Sequence, residues 1–209
     1  MQLGAFSGAI YTFCNWFYRL AFVNVLWILF TILGLGIFGI FPATIAMLAT
    51  LRKYINQQEV SVFSTFWYYF KNEFIQANKL GAVITLIGIV LYINIQFIQT
   101  TDAALSQFIY VSSIIMSGFY FLVICYLLAS YVEFDLTIKT HIKNSVLIAI
   151  YNPLASLFII FGFAAVYYAI TFISGLGFFF SISLLGLVVL SSANLAYRKV
   201  EKKQAALQA

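Results

Sequence analysis

The residues that could carry out chemistry are few and poorly arranged for it. Across 209 residues there is one histidine, His141, which stands between two lysines, and nearby positive charge disfavours protonation of an imidazole. Glu133 and Asp135 are two positions apart, a spacing that does not place two carboxylates on one face of a helix. We therefore expect His141 to be a solvated interface residue, and the two acids to pair with Lys139 or Arg52.

The other reactive or glycine-rich positions also lack a catalytic pattern. Cys14 and Cys125 lie in apolar stretches with neither a CxxC nor a metal-ligand spacing, so we interpret them as buried apolar residues. The segment LGLGIFG follows no strand and precedes a proline, so we interpret it as a flexible span end rather than a phosphate cradle. The sequence predicts no enzyme, no catalytic or metal-binding residues and no cofactor.

Composition identifies the solvent of the folded chain. The residues are 64% hydrophobic and 8% charged, whereas soluble domains carry about 25% charged residues. This predicts an integral membrane protein with the lipid bilayer as its partner. The net charge of +5 comes from bases at the ends of apolar runs, where they orient the chain and meet anionic lipid heads. We expect no nucleic-acid binding.

Apolar runs of about 20 residues predict a single all-α membrane domain over residues 1–209, built as a bundle of about five transmembrane helices. The predicted spans are 20–41, 80–98, 107–131, 146–170 and 174–194. Between and after them we expect amphipathic cytoplasmic-side helices at 43–55 and 62–78 and a cytoplasmic tail at 197–209.

The basic residues favour one orientation. If the loop after the first span faces the cytoplasm, ten of the 11 lysines and arginines lie inside and only Arg19 lies outside. We therefore predict a multi-pass protein of the bacterial cell membrane with its N-terminus outside and its C-terminus in the cytoplasm. Residues 1–19 are either an interfacial helix before the first span or a sixth span, which would place the N-terminus inside.

A proline marks the end of the first predicted span. Pro42 cannot continue the hydrogen-bond ladder of that span, and proline suits the first turn of a new helix. We expect residues 43–54 to form a separate helix at an angle to the span. The hydroxyl of Thr44 is placed to donate to one of the carbonyls that the proline leaves free.

An aromatic stripe follows in the second amphipathic segment. Its rings recur at i, i+3, i+4, i+7 and i+11, the spacing of one helical face: Phe63, Phe66, Trp67, Phe70 and Phe74. Such a stripe can lie in the membrane interface, dock on a partner helix or pack against the protein's own spans. We take Phe66 and Phe70 as candidate partner-docking residues.

Amide side chains inside apolar runs are the remaining site candidates, because unpaired polar groups are costly in hydrocarbon. They are Asn24, Asn94, Gln96, Asn152 and Asn194. They can form hydrogen bonds between helices, or they can line a polar path for a solute. The spans hold no ionisable residue near their centres, which argues against a proton- or ion-coupled pump.

Two segments suggest a weak internal repeat. FKNEFIQANKLG, which contains Asn78, and IKTHIKNSV, which contains Asn144, each carry bases and an asparagine on an amphipathic segment that runs into a span. The chain would then contain two parallel units, each of span, cytoplasmic helix and span.

The order of several short motifs resembles the YesL family of bacterial membrane proteins, a domain of unknown function. Asn24-x-x-Trp27 is followed by a glycine-rich stretch, by Pro-Ala-Thr at 42–44 and by Arg52. Phe-x-x-Phe-x-x-x-Phe-Lys-Asn at 63–72 and Asn-Pro at 152–153 come later. The chain departs from the family in reading IFGIFPA where members often have TIGPA.

The resemblance implies a bacterial membrane protein whose relatives are often encoded beside sugar-importing ABC transporters and two-component regulators. It suggests a non-enzymatic accessory component of carbohydrate uptake or sensing that docks on an ABC transporter or a sensor kinase. The alternative is a stand-alone transporter or channel for a small solute, acting as a homo-oligomer. The candidate functional or partner-docking residues are Asn24, Trp27, Pro42, Thr44, Arg52, Phe66, Phe70, Asn78, Asn144, Asn152 and Pro153.

Overall fold

The computed structural model describes residues 2–99 and 106–208, and these form seven helices without a strand. The helices are α1 Gln2–Leu33, α2 Ile37–Ile55, α3 Val62–Gln99, α4 Ser106–Glu133, α5 Ile138–Tyr151, α6 Pro153–Phe172 and α7 Ser174–Gln208. Within the described residues, five stretches are long and apolar enough to cross a bilayer: Ile10–Leu33, Val62–Ile98, Gln107–Glu133, Pro153–Phe172 and Gly175–Lys199. The predicted all-α bundle with five candidate spans is confirmed.

The first span lies earlier in the chain than predicted. α1 is one helix from Gln2 to Leu33, so residues 2–19 are neither a separate interfacial helix nor a sixth span. The polar residues Asn15 and Arg19 do not interrupt it, because both keep the backbone N–H and carbonyl that the helix pairs internally.

The chain reverses at Gly34–Gly36 rather than at the proline. Leu35 and Gly36 have φ values of 62° and 71°, and the Gly36 N–H donates to the Thr31 carbonyl at 2.9 Å. The Leu35 N–H donates to the Ile32 carbonyl at 3.0 Å. These paired bonds around a left-handed residue form the Schellman motif that ends helices. The prediction that the joint lies at Pro42 is therefore wrong.

Pro42 instead lies inside α2 and is buried. It stands beyond the first turn, so it removes the hydrogen bond that would otherwise reach the Phe38 carbonyl. The Thr44 hydroxyl donates to the Ile40 carbonyl at 2.7 Å, and not to the carbonyl that the proline leaves free. Residues 43–54 continue α2 and do not begin a helix of their own.

α2 is enclosed by the bundle and is not a surface helix. Eleven of its 19 residues are buried, and it packs against α1, α3, α4 and α7. Met47, Leu48 and Leu51 lie against Gly186, near the middle of the candidate span Gly175–Lys199. The prediction of an amphipathic surface helix at 43–55 is wrong, because every residue of this segment is buried except Thr44, Arg52, Lys53 and Ile55, which are partly buried.

Three further boundaries differ from the predicted ones. Residues 62–78 and 80–98 form one continuous helix, α3. No proline lies between them, and Gly81 near the junction does not end the helix. The predicted span 146–170 is divided at Asn152, because Pro153 begins α6. The predicted tail begins within α7, and residue 209 lies outside the described residues. The order of long, short and long helix occurs twice, but the joints differ, and the internal repeat stays a prediction.

Arg19 is not separated from the other bases by the bundle. Its guanidinium carbon lies 4.3 Å from the ring centre of Tyr54, a residue two positions from Arg52. The distance from Arg19 to Arg52 through Tyr54 is therefore far shorter than the roughly 30 Å thickness of a hydrocarbon core. The placement of Arg19 alone on the outside, opposite Arg52, is wrong. The orientation of the termini stays a prediction that depends on the remaining ten bases.

Replacing Gly39 with alanine tests the close approach of α1 and α2. A Cβ at Gly39 would lie 2.4 Å from the Thr31 carbonyl oxygen, so the two backbones would have to separate. We expect Gly39→Ala to lower the free energy of unfolding by at least about 2 kcal/mol.

Gly118→Ala is the matched control, because a Cβ there meets nothing within 4 Å. Both substitutions replace glycine with alanine inside a helix, so both gain the same helix propensity. The measurement is the thermal unfolding temperature in detergent. Equal temperatures for the two variants would contradict the close approach.

Candidate functional site

Asn24 joins α1 to α7 and is fully buried. Its Nδ2 donates to the Phe178 carbonyl at 2.7 Å, and its Oδ1 accepts from the backbone N–H groups of Ile182 and Ser183 at 3.0 and 3.1 Å. The Phe178 carbonyl and the Ile182 amide are the two groups that an uninterrupted helix would pair with each other. The side chain of Asn24 therefore bonds to both the carbonyl and the amide of one such backbone pair in α7. A hydrogen bond between helices was one of the two roles predicted for it.

Trp27 and Thr44 connect two of the short motifs. Trp27 lies one turn after Asn24 on α1, and its Nε1 donates to the Thr44 hydroxyl oxygen at 3.0 Å. Because the same hydroxyl donates to the Ile40 carbonyl, Thr44 is fixed in orientation on α2. The Asn-x-x-Trp motif thus holds α7 with its first residue and α2 with its last.

Arg52 ties α2 to the end of α4. Its Nη1 donates to the Val132 carbonyl at 2.6 Å, and its Nη2 donates to Glu133 Oε1 at 3.0 Å. The Nε atom lies 2.7 Å from Glu133 Oε2. The carbonyls of the last turn of a helix lack intrahelical partners, so the planar guanidinium both pairs with the acid and caps α4. The predicted pairing of Glu133 is confirmed with Arg52 as the partner.

Tyr131 makes a second link at the same end of α4. Its hydroxyl donates to Glu73 Oε2 at 2.6 Å, which joins α4 to α3. Sequence reasoning did not single out Glu73 or Tyr131. Glu73 lies in the predicted amphipathic segment 62–78, but nothing in the sequence indicates which tyrosine would contact it.

A polar cleft of about 840 Å³ opens beside these two links. It lies where α4 ends, and α2, α3, the 134–137 loop and the start of α5 form its walls. Acidic and basic side chains both line it, with one more acid than bases if His141 is neutral. The lining residues are Arg52, Glu73, Gln76, Tyr131, Val132, Glu133, Phe134, Asp135, Leu136, Thr137, Ile138, Lys139 and His141.

His141 is buried in the wall of the cleft, so the prediction of a solvated residue is wrong. Its Nδ1 lies 2.9 Å from the Ser130 hydroxyl oxygen, and its ring is 5.4 Å from the ring of Tyr131. Burial lowers the pKa of His141, although the Leu136 carbonyl and the Asp135 carboxylate oppose the shift. The imidazole is therefore held neutral and acts as a packing and hydrogen-bonding residue between α4 and α5.

The aromatic stripe packs into its own bundle. Phe66 is 0% and Phe70 is 8% exposed. Their ring centres lie 5.1 and 4.9 Å from that of Phe30 on α1. Neither ring is accessible to a partner, so the docking role assigned to these two residues is wrong. Phe63 and Trp67, on the outer edge of the stripe, are about half exposed.

The remaining candidate residues are dispersed. Asn78 donates to the Phe74 carbonyl of its own helix at 2.8 Å, and Asn144 is half-buried on α5 away from the cleft lining. Asn152 is 4% exposed at the α5–α6 joint, and its Nδ2 has no hydrogen-bond partner among the described residues. Pro153 is exposed as the first residue of α6.

Two other expectations from the sequence have mixed outcomes. Cys125 is buried as predicted, whereas Cys14 is exposed on α1. Asn94 accepts a hydrogen bond from the Ser113 hydroxyl at 3.0 Å and so joins α3 to α4. Asn94 and Asn24 thus both make hydrogen bonds between helices.

Comparisons with known proteins identify relatives without an assigned activity. A family model described as "Protein of unknown function, DUF624" matches residues 20–95. Uncharacterized protein YteU of Bacillus subtilis (strain 168) is 37% identical over 180 residues, which cover 85% of this chain and 80% of YteU. Uncharacterized proteins YesL and YesV of the same organism are 29% and 31% identical, and each alignment covers at least 93% of both chains. No solved structure matches the chain.

The matched residues 20–95 contain both partners of the Trp27–Thr44 bond and one partner of each link made by Asn24, Arg52 and Tyr131. They include Asn24, Trp27, Thr44, Arg52 and Glu73. The partners of Asn24, Arg52 and Glu73 lie on α4 and α7, outside the matched range.

Removing the side chain of Asn24 tests its role between helices. Asn24→Ala leaves the carbonyl of Phe178 and the amides of α7 without their side-chain partner, so we expect a loss of about 1–3 kcal/mol in the free energy of unfolding. Asn78→Ala is the control, because Asn78 bonds only within its own helix, and we expect a change of about 0.5 kcal/mol or less. Equal losses, measured by thermal unfolding in detergent, would show that the interhelical bonds carry no stability.

The buried His141 predicts a dependence of stability on pH. Since the folded-state pKa is lowered, the unfolded chain binds a proton first as the pH falls below about 6.5, and stability decreases. The slope contributed by one proton is at most about 1.4 kcal/mol per pH unit. We expect the unfolding temperature of the wild type to fall between pH 7.5 and 5.5 and that of His141→Asn, which cannot titrate, to fall less. Parallel curves would contradict a depressed pKa.

Proposed function

We propose, from the premise that this chain belongs to the DUF624 family of YesL-like membrane proteins, that it is a non-enzymatic accessory component of carbohydrate uptake or sensing. It docks on an ABC transporter or a sensor kinase in the bacterial cell membrane. The five apolar helices hold it in the same bilayer as such a partner, and its polar cleft provides the contact.

The observation that carries the proposal is that the ionisable side chains of the cleft wall are already paired with other side chains. Glu133 is engaged by Arg52, Glu73 accepts from Tyr131, and His141 is bound to Ser130. These groups stabilise helix ends and neighbouring walls, so they are not poised as an acid–base pair or a nucleophile. A polar surface whose acidic and imidazole side chains are already hydrogen-bonded suits the recognition of a partner better than catalysis.

The exposed part of this surface is the rim formed by residues 134–139, hereafter the α4–α5 rim. Phe134 and Leu136 are each 41% exposed. Asp135, which lies between them, and Lys139, three residues further on, are also exposed. Apolar side chains interspersed with charges are typical of the surfaces by which proteins recognise one another. The paired residues beneath the rim hold it at the end of α4.

Co-purification tests the proposal. The tagged full chain, expressed in its native host and extracted in mild detergent, should co-purify with transporter subunits or with a sensor kinase identified by mass spectrometry. The double variant Asp135→Lys with Lys139→Glu preserves net charge but reverses both signs on the rim. We expect it to lose at least about tenfold of the recovered partner, as like charges then face each other.

Lys71→Glu is the control, because Lys71 is exposed on α3 and does not line the cleft. It should recover the partner at the wild-type level. Equal recovery with both variants would remove the α4–α5 rim from the proposal. Purification of the wild type alone in several detergents would contradict the accessory role itself.

The alternative, a stand-alone transporter or channel for a small solute, draws support from polar groups inside the bundle. Asn152 Nδ2 and the Tyr197 hydroxyl are buried and unpartnered among the described residues, and Tyr126 and Ser156 pair with each other nearby at 3.1 Å. Solute flux into vesicles that requires the purified protein and is lost in Asn152→Leu would favour this function over the accessory role.

A further inference from the structure

An apolar groove of about 450 Å³ lies between α1 and the start of α3. Only apolar and aromatic side chains line it: Leu26, Leu29, Phe30, Ile32, Leu33, Phe63 and Trp67. Leu26 and Phe30 are 3% and 4% exposed and form its floor, whereas the other five are about half exposed or more and form its rims. None of these residues lines the polar cleft, so the groove is a separate feature of the surface.

The floor of the groove is fixed from beneath. The ring of Phe30 lies among four rings of α3, with centres 4.9 to 6.3 Å away: Phe63, Phe66, Trp67 and Phe70. Phe66 and Phe70 are themselves buried, so they leave Phe30 no space to move into. Close-packed side chains of this kind keep their rotamers, and the groove therefore exists before anything fills it.

Both walls of the groove belong to helices that are long and apolar enough to cross a bilayer. The α1 wall lies in the candidate span Ile10–Leu33, and the α3 wall lies in Val62–Ile98. Phe63 comes two residues after the exposed Ser61, and residues 56–59 of the same loop are polar and exposed. The groove thus faces hydrocarbon along its walls and has a polar loop next to the first residue of its α3 wall.

The surroundings of the groove limit what can fill it. No polar atom faces its interior, and cavities with apolar walls stay free of water. An empty groove would leave its walls without the carbon–carbon contacts at about 3.5–4.0 Å that stabilise packed surfaces. The occupant is therefore an apolar group that can reach Leu26 and Phe30 between the two rims.

The size of the groove favours a thin occupant. Leu26 and Leu33 are seven positions apart, which is about 10 Å along α1. An α-helix with its side chains is 10–12 Å wide, so a segment of that length occupies roughly 800–1,200 Å³, about twice the volume of the groove. A single methylene chain is narrow enough to contact the floor and both rims at once.

We propose that the groove holds one acyl chain of a membrane phospholipid, whose headgroup lies beside the polar loop 56–61. Lipid tails are as apolar as leucine, so no hydrophobic driving force selects this chain from the bilayer. Its retention comes from dispersion contacts with a preformed aromatic wall. The site does not depend on the proposed function.

Native mass spectrometry of the purified full chain tests the site. We expect the wild type to retain one phospholipid more than Leu29→Trp does, because the larger side chain on the rim takes up space in the groove. The fraction of protein that carries this lipid should fall by at least about tenfold. Leu86→Trp is the matched control, since Leu86 is 64% exposed on α3 and does not line the groove. It should retain lipid as the wild type does.

Three outcomes of this experiment would overturn the proposal. The first is a wild type that retains no phospholipid, and the second is equal retention in Leu29→Trp and Leu86→Trp. The third is a lipid-free dimer of the wild type that Leu29→Trp converts to a monomer, because a second copy of the chain would then cover the groove.

The fluorescence of Trp67 gives a second measurement that needs no change of groove volume. A phospholipid with brominated acyl chains quenches a tryptophan that it contacts. Added to the delipidated full chain in an uncharged detergent, it should quench the emission until one lipid is bound per protein. Trp67→Phe keeps an aromatic rim and should lose most of this change, although Trp16 and Trp27 remain. Quenching that does not saturate, or that is equal in Trp67→Phe and the wild type, would contradict a chain held in the groove.

Discussion

The reversal at Gly34–Gly36 decides where the most enclosed contacts of the bundle form. It ends α1 with paired hydrogen bonds and sends the next nineteen residues back into the protein as α2. Gly34 and Gly39 have no side chains, and each lies so close to the other backbone segment that a Cβ would overlap it. This close approach places α2 where four other helices can pack around it.

The polar contacts follow from that central position. Trp27 reaches Thr44 on α2, and Arg52 at the far end of α2 reaches the last turn of α4. Since Tyr131 also fastens α4 to α3, the end of α4 is held from two sides, and the cleft lies beside it. A helix that lay on the surface could not make both connections. The paired side chains of the cleft are therefore as much a part of the packing as the apolar core.

Sequence patterns predicted the class of the fold because hydrophobicity over about 20 residues reports directly on burial in lipid. They failed where the answer depended on neighbours. Pro42 predicts a helix start, but the reversal requires residues at positive φ, which Leu35 and Gly36 adopt. Phe66 and Phe70 have the spacing of one helical face whether lipid, a partner or Phe30 covers them. The spacing alone therefore does not predict which of these three contacts the rings. His141 looked solvated because its sequence neighbours are charged, whereas its spatial neighbours are Ser130 and Tyr131.

Asn24 also has a consequence for the biosynthesis of the protein. Its amide is bonded to backbone groups 154 to 159 positions further along the chain. During translation α1 leaves the ribosome long before α7, and until then the amide has only lipid or neighbouring helices around it. Phe178, Ile182 and Ser183 of α7 in turn gain their side-chain partner only when α7 meets α1. Insertion of the individual helices and completion of the bundle are thus separate events, and the second waits for the arrival of the last helix.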